Sequence, residues 1–253
     1  MRSYTNLSTI AILTVLAACG QETSNVHEPA PKPEVSYPAP DIPALMAAAN
    51  IPGLAIAEVN DCIASDASFY GVVDVETGDP VSADTVFEAA SLTKTIFSLV
   101  VNQLADEGVI DLDEPLSERF EYPRVSDQAG YARLTPRIIL AHRSGFPNWA
   151  GDPTDEETWG DIDFKNPPDT QFGYSGEAYQ LLQAYVEDRT GKTFDELFEE
   201  RVRARMPRTS LFAPHPDVVT AYGHDKNGGK EDGRALIAPA RAGAAFSANS
   251  NAG

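Results

Sequence analysis

Between residues 92 and 106 the sequence predicts a helix that is apolar on nearly every side. Its apolar positions are Leu92, Ile96, Phe97, Leu99, Val100, Val101 and Leu104. Such a helix has to lie in the middle of a domain, because none of its sides could face water without exposing apolar surface. Gly108 follows the run and predicts its end. The rest of the domain must therefore fold around this segment.

Extended segments precede this central helix, and helical segments follow it. The predicted strands cover residues 53–60 and 67–80. The later predicted helices begin at Thr135, span residues 177–189, and follow a capping box formed by Thr193 and Glu196. Two strands followed by a helix-rich middle indicate an α+β fold rather than alternating βα units.

The first residues have the character of a signal peptide, predicted to cover residues 1–18. Arg2 precedes an apolar run, Leu7 to Ala18, which is too short to span a bilayer comfortably. The run ends in Leu-Ala-Ala-Cys, which resembles the lipobox of bacterial lipoproteins and implies cleavage before Cys19 and acylation of that residue. Gly20 follows instead of Asp, which favours the periplasmic face of the outer membrane in a bacterial cell envelope. We therefore expect a lipid anchor at Cys19 that holds the protein on a membrane.

Composition sets the remaining boundaries and excludes some partners. Residues 19–41 are rich in Pro, Ser and Glu and predict an extended tether, which leaves residues 42–253 for the folded domain. The formal net charge of −19 would be repelled by phosphate groups, so nucleic acid is not an expected partner. If Cys19 is acylated, Cys62 is the only other thiol, which excludes an intramolecular disulfide and a cysteine metal site.

Ser91 and Lys94 stand three positions apart, where the extended segment before the central helix gives way to its first turn. Residues i and i+3 share a helix face, so the hydroxyl and the amine are within reach of each other. Burial lowers the pKa of a lysine, which then serves as a base. The alternative is a serine that caps the helix and a lysine on a solvated face. Because Lys94 lies in an otherwise apolar segment, the sequence favours the catalytic pair.

Three segments, in this order, resemble motifs of the serine β-lactamase and penicillin-binding-protein-like superfamily. They are FEAASLTKTIFSLVVNQLADEGVIDLDEPL, LTPRIILAHRSGFPNW and FGYSGEAYQLLQAYVEDRTG. The resemblance covers about residues 42–250 and is greatest to class C β-lactamases, D-Ala-D-Ala carboxypeptidases and related esterases. It implies an α+β fold in which an antiparallel sheet is combined with a helical subdomain.

The resemblance implies a serine hydrolase that needs neither a cofactor nor a metal ion. Ser91 corresponds to the acylated nucleophile, Lys94 to the residue that activates it, and Tyr174 to a proton shuttle between Ser91 and the leaving group. The expected substrates are small molecules of the ester, cell-wall-peptide or β-lactam type.

Substrate-binding roles are implied for Ser175, Gly176 and Trp149. Gly176 departs from the Asn that the family usually has two residues after the tyrosine, and the missing carboxamide favours esters over amides. Trp149 belongs to an acidic loop, residues 148–164, which we expect either near the mouth of the site or as a solvated surface loop.

Other catalytic arrangements fit the sequence less well. Residues 173–177 approach the nucleophile elbow Gly-x-Ser-x-Gly but have Glu177 where the last glycine should stand. His142 could serve as a base, but its place at a predicted helix end favours a structural role. His27 lies in the predicted tether, and His215 and His224 lack a nearby carboxylate-histidine pattern, so metal catalysis is disfavoured.

The third motif of the superfamily, Lys or His followed by Thr or Ser and Gly, has no counterpart with the right spacing in this sequence. The nearest match, Arg189 to Gly191, marks a predicted helix end. The resemblance thus implies that the C-terminal strands and helix are missing from this sequence. If these 253 residues are the entire product, we expect weak or no turnover; if they are a fragment of a longer gene product, we expect the full enzyme to be active. The alternative function is that of a membrane-anchored lipoprotein that keeps the fold as a binding or scaffolding module without catalysis.

Overall fold

The structure is a computed structural model of the chain, and it describes residues 40–152, 156–207, 209–211, 219–230 and 243–251. One compact unit runs from Pro40 to Gly253, and the fold given below is that of this unit. The predicted signal peptide, Cys19 and residues 19–39 of the predicted tether lie outside the described residues. Within the described ranges, no helix has the length and apolar character needed to cross a bilayer.

The central helix is α2, Thr93–Asp106, and it lies in the core as the sequence predicts. Phe97, Val100 and Val101 have no exposed surface. Burial of such side chains stabilises the fold by about 1.5–3 kcal/mol each. The prediction of an apolar surface on nearly every side is wrong at Leu92 and Leu99, which are exposed.

Helices after α2 contribute buried side chains to the same core. They are α3, Gln128–Tyr131; α4, Pro136–Leu140; α5, Gly176–Thr190; and α6, Phe194–Arg201. Phe97 of α2 meets Phe194 of α6 edge to face, with 5.1 Å between ring centroids. The predicted capping box of Thr193 and Glu196 is present and fixes the beginning of α6. Gly191, with a φ of +67°, ends α5.

The extended part begins after a short helix, α1, Ile42–Ala49. Its strands are β1, Gly53–Ile56; β2, Val59–Asn60; β3, Ile63–Ala64; β4, Ser68–Gly71; β5, Phe87–Ala90; and β6, Ala248–Ser250. Strand pairs β1–β4, β2–β3 and β5–β6 are all antiparallel. Antiparallel strands combined with a helical part confirm the predicted α+β class.

Both predicted strands are shorter than the sequence indicates. The first is divided into β1 and β2, and the second ends at Gly71. Gly71 has a φ of +71°, and a Cβ atom there would lie 1.9 Å from the carbonyl oxygen of Pro52. Only glycine fits at this close approach of two backbones, and its left-handed conformation ends the strand.

The last described segment, residues 243–251, returns to the beginning of α2. Strand β6 pairs with β5 and has an irregular register between Glu88 and Ala90. Ala244, Ala245 and Ala248 are buried in this segment. The pairing brings residue 245 next to the first turn of α2, where the candidate site lies.

Candidate active site

Ser91 lies between the end of β5 and the beginning of α2 and is exposed. It does not cap the helix, because Leu92 occupies the cap position and no side chain caps α2. Ala90 before it has a φ of +41°, a conformation that costs a residue with a Cβ atom about 1–3 kcal/mol. Strain of this kind persists only where neighbouring contacts hold the backbone in place.

Thr93 supplies those contacts. Its hydroxyl donates a hydrogen bond to the carbonyl oxygen of Ala90 and accepts one from the N–H of Ala248, at 2.5 and 2.8 Å. The side chain is fully buried. Thr93 therefore links the turn that presents Ser91 to both the helix and strand β6.

Lys94 faces Ser91 from the first turn of α2 and is only 6% exposed. Its Nζ lies 3.3 Å from Ser91 Oγ and donates a hydrogen bond of 2.8 Å to the carbonyl oxygen of Ala245. The same Nζ lies 4.8 Å from the ring centroid of Tyr174 and 5.5 Å from that of Tyr179. Lys94 is thus a buried amine beside the hydroxyl, which excludes the alternative of a solvated lysine.

Tyr174 completes the group in the loop before α5 and is 42% exposed. Its ring stacks on the imidazole of His142 with 4.4 Å between centroids. Burial raises the pKa of Tyr174, but hydrogen bonding to Lys94 and Ser91 and the positive charge of Lys94 together hold this pKa below its ordinary value. Tyr174, Lys94 and Ser91 therefore form one interacting group, as the sequence predicts by resemblance.

The pKa of Lys94 is also lowered. Burial disfavours the ammonium form and outweighs the interaction with Tyr174, which acts in the opposite direction. A lysine and a tyrosine whose pKa values are both lowered have larger unprotonated fractions near neutral pH than the free side chains have. Perturbed groups of this kind beside a hydroxyl are typical of sites that activate a nucleophile.

An open cleft of about 670 Å³ lies in front of these residues. It is lined by Ala89, Ala90, Ser91, Leu92, Lys94, Thr95, Ser98, His142, Tyr174 and Tyr179. All three predicted catalytic residues therefore face the same cleft, which is large enough for a small acyl compound.

The three residues predicted to bind substrate lie beside this cleft and do not line it. Ser175 is fully buried, and its hydroxyl donates a hydrogen bond to the carbonyl oxygen of Pro147. The same hydroxyl accepts a hydrogen bond from the N–H of Ala178, so Ser175 caps the beginning of α5. Gly176 is the first residue of α5. Substrate binding by Ser175, Gly176 and Trp149 stays a prediction.

Trp149 packs directly on Gly176. A Cβ atom at position 176 would lie 2.4 Å from both Cζ2 and Cη2 of the indole. The ring also meets Phe246 edge to face, with 5.6 Å between centroids. Glycine therefore stands at position 176 because the indole occupies the volume that a side chain would need.

We expect Gly176→Asn to lower the free energy of unfolding by about 2 kcal/mol, because the new side chain overpacks against Trp149. Urea denaturation measures the effect. Gly160→Asn is the matched control, since a Cβ atom there meets nothing within 4 Å. In a Trp149→Ala background the cost of Gly176→Asn should fall; an unchanged cost would contradict the direct contact.

The acidic loop that contains Trp149 is attached to α5 through hydrogen bonds between its backbone and a buried ion pair, Arg124 and Glu177. Arg124 Nη1 contacts Glu177 Oε1, and Glu177 is only 3% exposed. The other carboxylate oxygen of Glu177 accepts the N–H of Ala150 at 3.0 Å. Arg124 also donates to the carbonyl oxygen of Gly160 and lies over the ring of Trp159. This part of the loop is therefore a packed element that holds Trp149 in place.

Sequence reasoning missed three groups that line the site or hold its residues in place. The carbonyl oxygen of Ala245 gives no sequence signal, because it is a backbone group 151 residues from Lys94. Tyr179 lies near Lys94 and contacts Ser98 through its hydroxyl. Tyr179 lies in the first turn of α5, directly after the loop that carries Tyr174. This closeness to Tyr174 in the sequence could have indicated that its side chain lies at the cleft. Thr93 is the third, and its buried hydroxyl would be found only from the paired strands.

Known proteins with similar sequences belong to the superfamily that the sequence motifs resemble. The sequence model of the Beta-lactamase family matches residues 40–252. Penicillin-binding protein 4 of Amycolatopsis lactamdurans is 29% identical over 165 residues, which is 60% of this chain and 42% of that protein. The D-alanyl-D-alanine-carboxypeptidase/endopeptidase AmpH of Escherichia coli K12 is 30% identical over 153 residues, covering 53% of this chain and 38% of that protein. The chain thus spans about two fifths of the length of these relatives.

Solved structures share the fold. The D-alanine carboxypeptidase AmpC of Burkholderia cenocepacia superposes with a TM-score of 0.65 at 24% identity, covering 83% of this chain and 58% of that one. A class C β-lactamase superposes with a TM-score of 0.69 at 19% identity, covering 83% and 59%. The chain therefore has part of the class C β-lactamase and transpeptidase fold.

Proposed function

Because this chain belongs to the Beta-lactamase family, we propose that it is a serine hydrolase in which Ser91 is the acylated nucleophile. The observation that carries the proposal is the buried Nζ of Lys94, 3.3 Å from the exposed hydroxyl of Ser91. A general base at this position accounts for the activation that a serine hydroxyl needs. The lowered pKa values of Lys94 and Tyr174 support such a role.

The proposed reaction has two steps. In the first, the Lys94–Tyr174 pair, with one of its two groups unprotonated, accepts the proton of Ser91, and Oγ forms a bond to the carbonyl carbon of the substrate. The bond to the leaving group then breaks, and Tyr174 returns the proton to that group. In the second step, water attacks the acyl-Ser91 ester and releases the acid, which regenerates the hydroxyl.

The proposed substrates are acyl compounds that fit the open cleft: esters, or cell-wall peptides and β-lactam-like compounds. Relatives named as a penicillin-binding protein and as a D-alanyl-D-alanine carboxypeptidase support the second class. Gly176 has no carboxamide to offer to an amide substrate, which favours esters. The site we propose works without a cofactor.

A lipid anchor at Cys19 remains part of the proposal. The tether of residues 19–41 would connect this anchor to the domain of residues 42–253. This would place the enzyme on a membrane surface in the bacterial envelope. The alternative function is a binding or scaffolding lipoprotein without catalysis. It is supported by Gly176, because the Trp149 ring fills the space that a carboxamide side chain would need there.

Hydrolysis of a p-nitrophenyl ester separates the two functions. We expect weak hydrolysis by the wild type, reduced to the rate of buffer alone in Ser91→Ala. Ser126→Ala, at another exposed serine, should keep the wild-type rate. Equal rates in the wild type and Ser91→Ala would exclude the enzyme and leave the scaffolding function.

A further inference from the structure

His142 contacts Tyr174 and both of its neighbours in the chain, and the proposed chemistry uses none of these contacts. Its ring stacks on the phenol ring at 4.4 Å, with 26° between the two planes. Its carbonyl oxygen accepts the N–H of Gly173 at 2.8 Å, and its Nδ1 accepts the N–H of Ser175 at 3.2 Å. The residues on either side of Tyr174 are therefore both bound to His142, one through its backbone and the other through its imidazole.

The backbone of His142 is itself held in an uncommon conformation, with a φ of +53°. This conformation directs the carbonyl group and the ring towards the same loop. The ring of Tyr179 is tilted against the imidazole with 5.0 Å between centroids, and the ring of Phe172 meets the imidazole edge to face with 5.9 Å between centroids. Aromatic rings thus enclose the imidazole at the wall of the cleft, and its orientation is fixed by packing as well as by hydrogen bonding.

The hydrogen bond from Ser175 determines the protonation state. Since Nδ1 accepts an N–H, it carries no proton, and the neutral ring carries its proton on Nε2. The titratable groups that face the ring are Lys94 from α2, Tyr174 from the loop before α5 and Tyr179 from α5. Burial and the positive charge of Lys94 lower the pKa of His142, which preserves the neutral form at neutral pH.

We propose that His142 is a positioning residue, whose neutral imidazole holds Tyr174 in the orientation that points its phenol towards Lys94 and Ser91. It does not exchange a proton with the substrate. Protonation of Nδ1 would put two N–H donors opposite each other, break the bond to Ser175 and release the loop. The inference rests on the proposed function for its kinetic consequence, but its structural consequence, the ionisation of Tyr174, requires no turnover.

Two substitutions distinguish the role of the hydrogen-bond acceptor of His142 from the role of its aromatic ring. His142→Asn keeps an acceptor and tolerates a positive φ, whereas His142→Phe keeps an aromatic ring and leaves the N–H of Ser175 without its acceptor. The first readout is ultraviolet difference titration of Tyr174, with Tyr174→Phe as the reference. We expect the pKa of Tyr174 to rise towards its ordinary value in His142→Phe and to stay close to that of the wild type in His142→Asn.

The second readout is the rate at which a fluorophosphonate modifies Ser91. His142→Phe should be about tenfold slower than the wild type, because a buried N–H loses its partner, and His142→Asn should stay within about threefold. Below the pKa of His142, the wild-type rate should fall more steeply with pH than the rate of His142→Asn, because asparagine does not titrate.

An unchanged Tyr174 titration in folded His142→Phe would overturn the inference, and so would a pH profile of His142→Asn with the steep acid side of the wild type. If the wild type does not react with the fluorophosphonate, the proposed function fails, and the titration of Tyr174 alone decides the role of His142. Circular dichroism and thermal melting establish that both variants are folded.

Discussion

Replacing Lys94 by methionine will slow the modification of Ser91 by a fluorophosphonate by about 10³-fold, the contribution expected of a positioned general base. Methionine has nearly the length and volume of lysine and fills the same buried space without an amine. The change therefore removes the group 3.3 Å from Ser91 Oγ while the nucleophile and the cleft stay in place. The rate is measured from the loss of unmodified protein with time at a fixed reagent concentration.

Stability separates this chemical effect from a general disturbance of the fold. The buried carbonyl oxygen of Ala245 loses its hydrogen bond from Nζ, so the free energy of unfolding should fall by about 1–3 kcal/mol. Lys165→Met, at an exposed lysine, is the matched control and should keep the wild-type rate. A Lys94→Met variant that reacts as fast as this control would remove Lys94 from the mechanism.

The wild-type rate should also increase with pH through the lowered pKa values of Lys94 and Tyr174. The proton of Ser91 is accepted by whichever of the two groups is unprotonated. Because both pKa values lie below the ordinary values, the increase begins at a lower pH than free lysine and tyrosine side chains would give.

Arg124→Met will lower the free energy of unfolding by about 3–5 kcal/mol, because it leaves the carboxylate of Glu177 buried without its ion pair. The side chain of Glu177 is 4% exposed and that of Arg124 is 18% exposed, so water can replace little of the lost interaction. Urea denaturation gives the value. The loop that carries Trp149 should loosen at the same time, which Trp fluorescence would report.

A surface pair in the same protein provides the control. Arg137 and Asp113 form a two-point contact, but their side chains are 59% and 68% exposed. Arg137→Met should therefore cost no more than about 1 kcal/mol. Adding Glu177→Leu to Arg124→Met should recover part of the loss, because the unpaired charge is removed. Similar costs for Arg124→Met and Arg137→Met would show that burial does not strengthen the first pair.

The helical part of the fold could be predicted because its signals are local. The apolar run that forms α2 and the capping box of Thr193 and Glu196 depend only on residues a few positions apart. The strands were predicted too long, since the end of β4 is set by the close approach of Gly71 to Pro52, which lies on a neighbouring segment.

In the candidate site, too, the features with a local sequence motif could be predicted and the contacts between distant segments could not. Ser91, Lys94 and Tyr174 were recognised from motifs, and the structure brings them to one cleft. The contacts of Trp149 with Gly176, of Ala245 with Lys94 and of His142 with the loop before α5 could not be predicted, because they join segments that are distant in sequence. The acylation of Cys19 depends on a local motif outside the described residues and stays a prediction.

Covalent modification tests the central claim more directly than turnover does. Fluoride is a better leaving group than that of an ester or amide, so a fluorophosphonate reports the activation of Ser91 even if complete turnover is weak. The protein is incubated with the reagent, digested, and the modified residue is identified by peptide mass spectrometry. We predict one adduct per chain, located on Ser91, and none in Ser91→Ala. A folded wild-type protein that stays unmodified at Ser91, or that reacts at another residue instead, would contradict the proposed function.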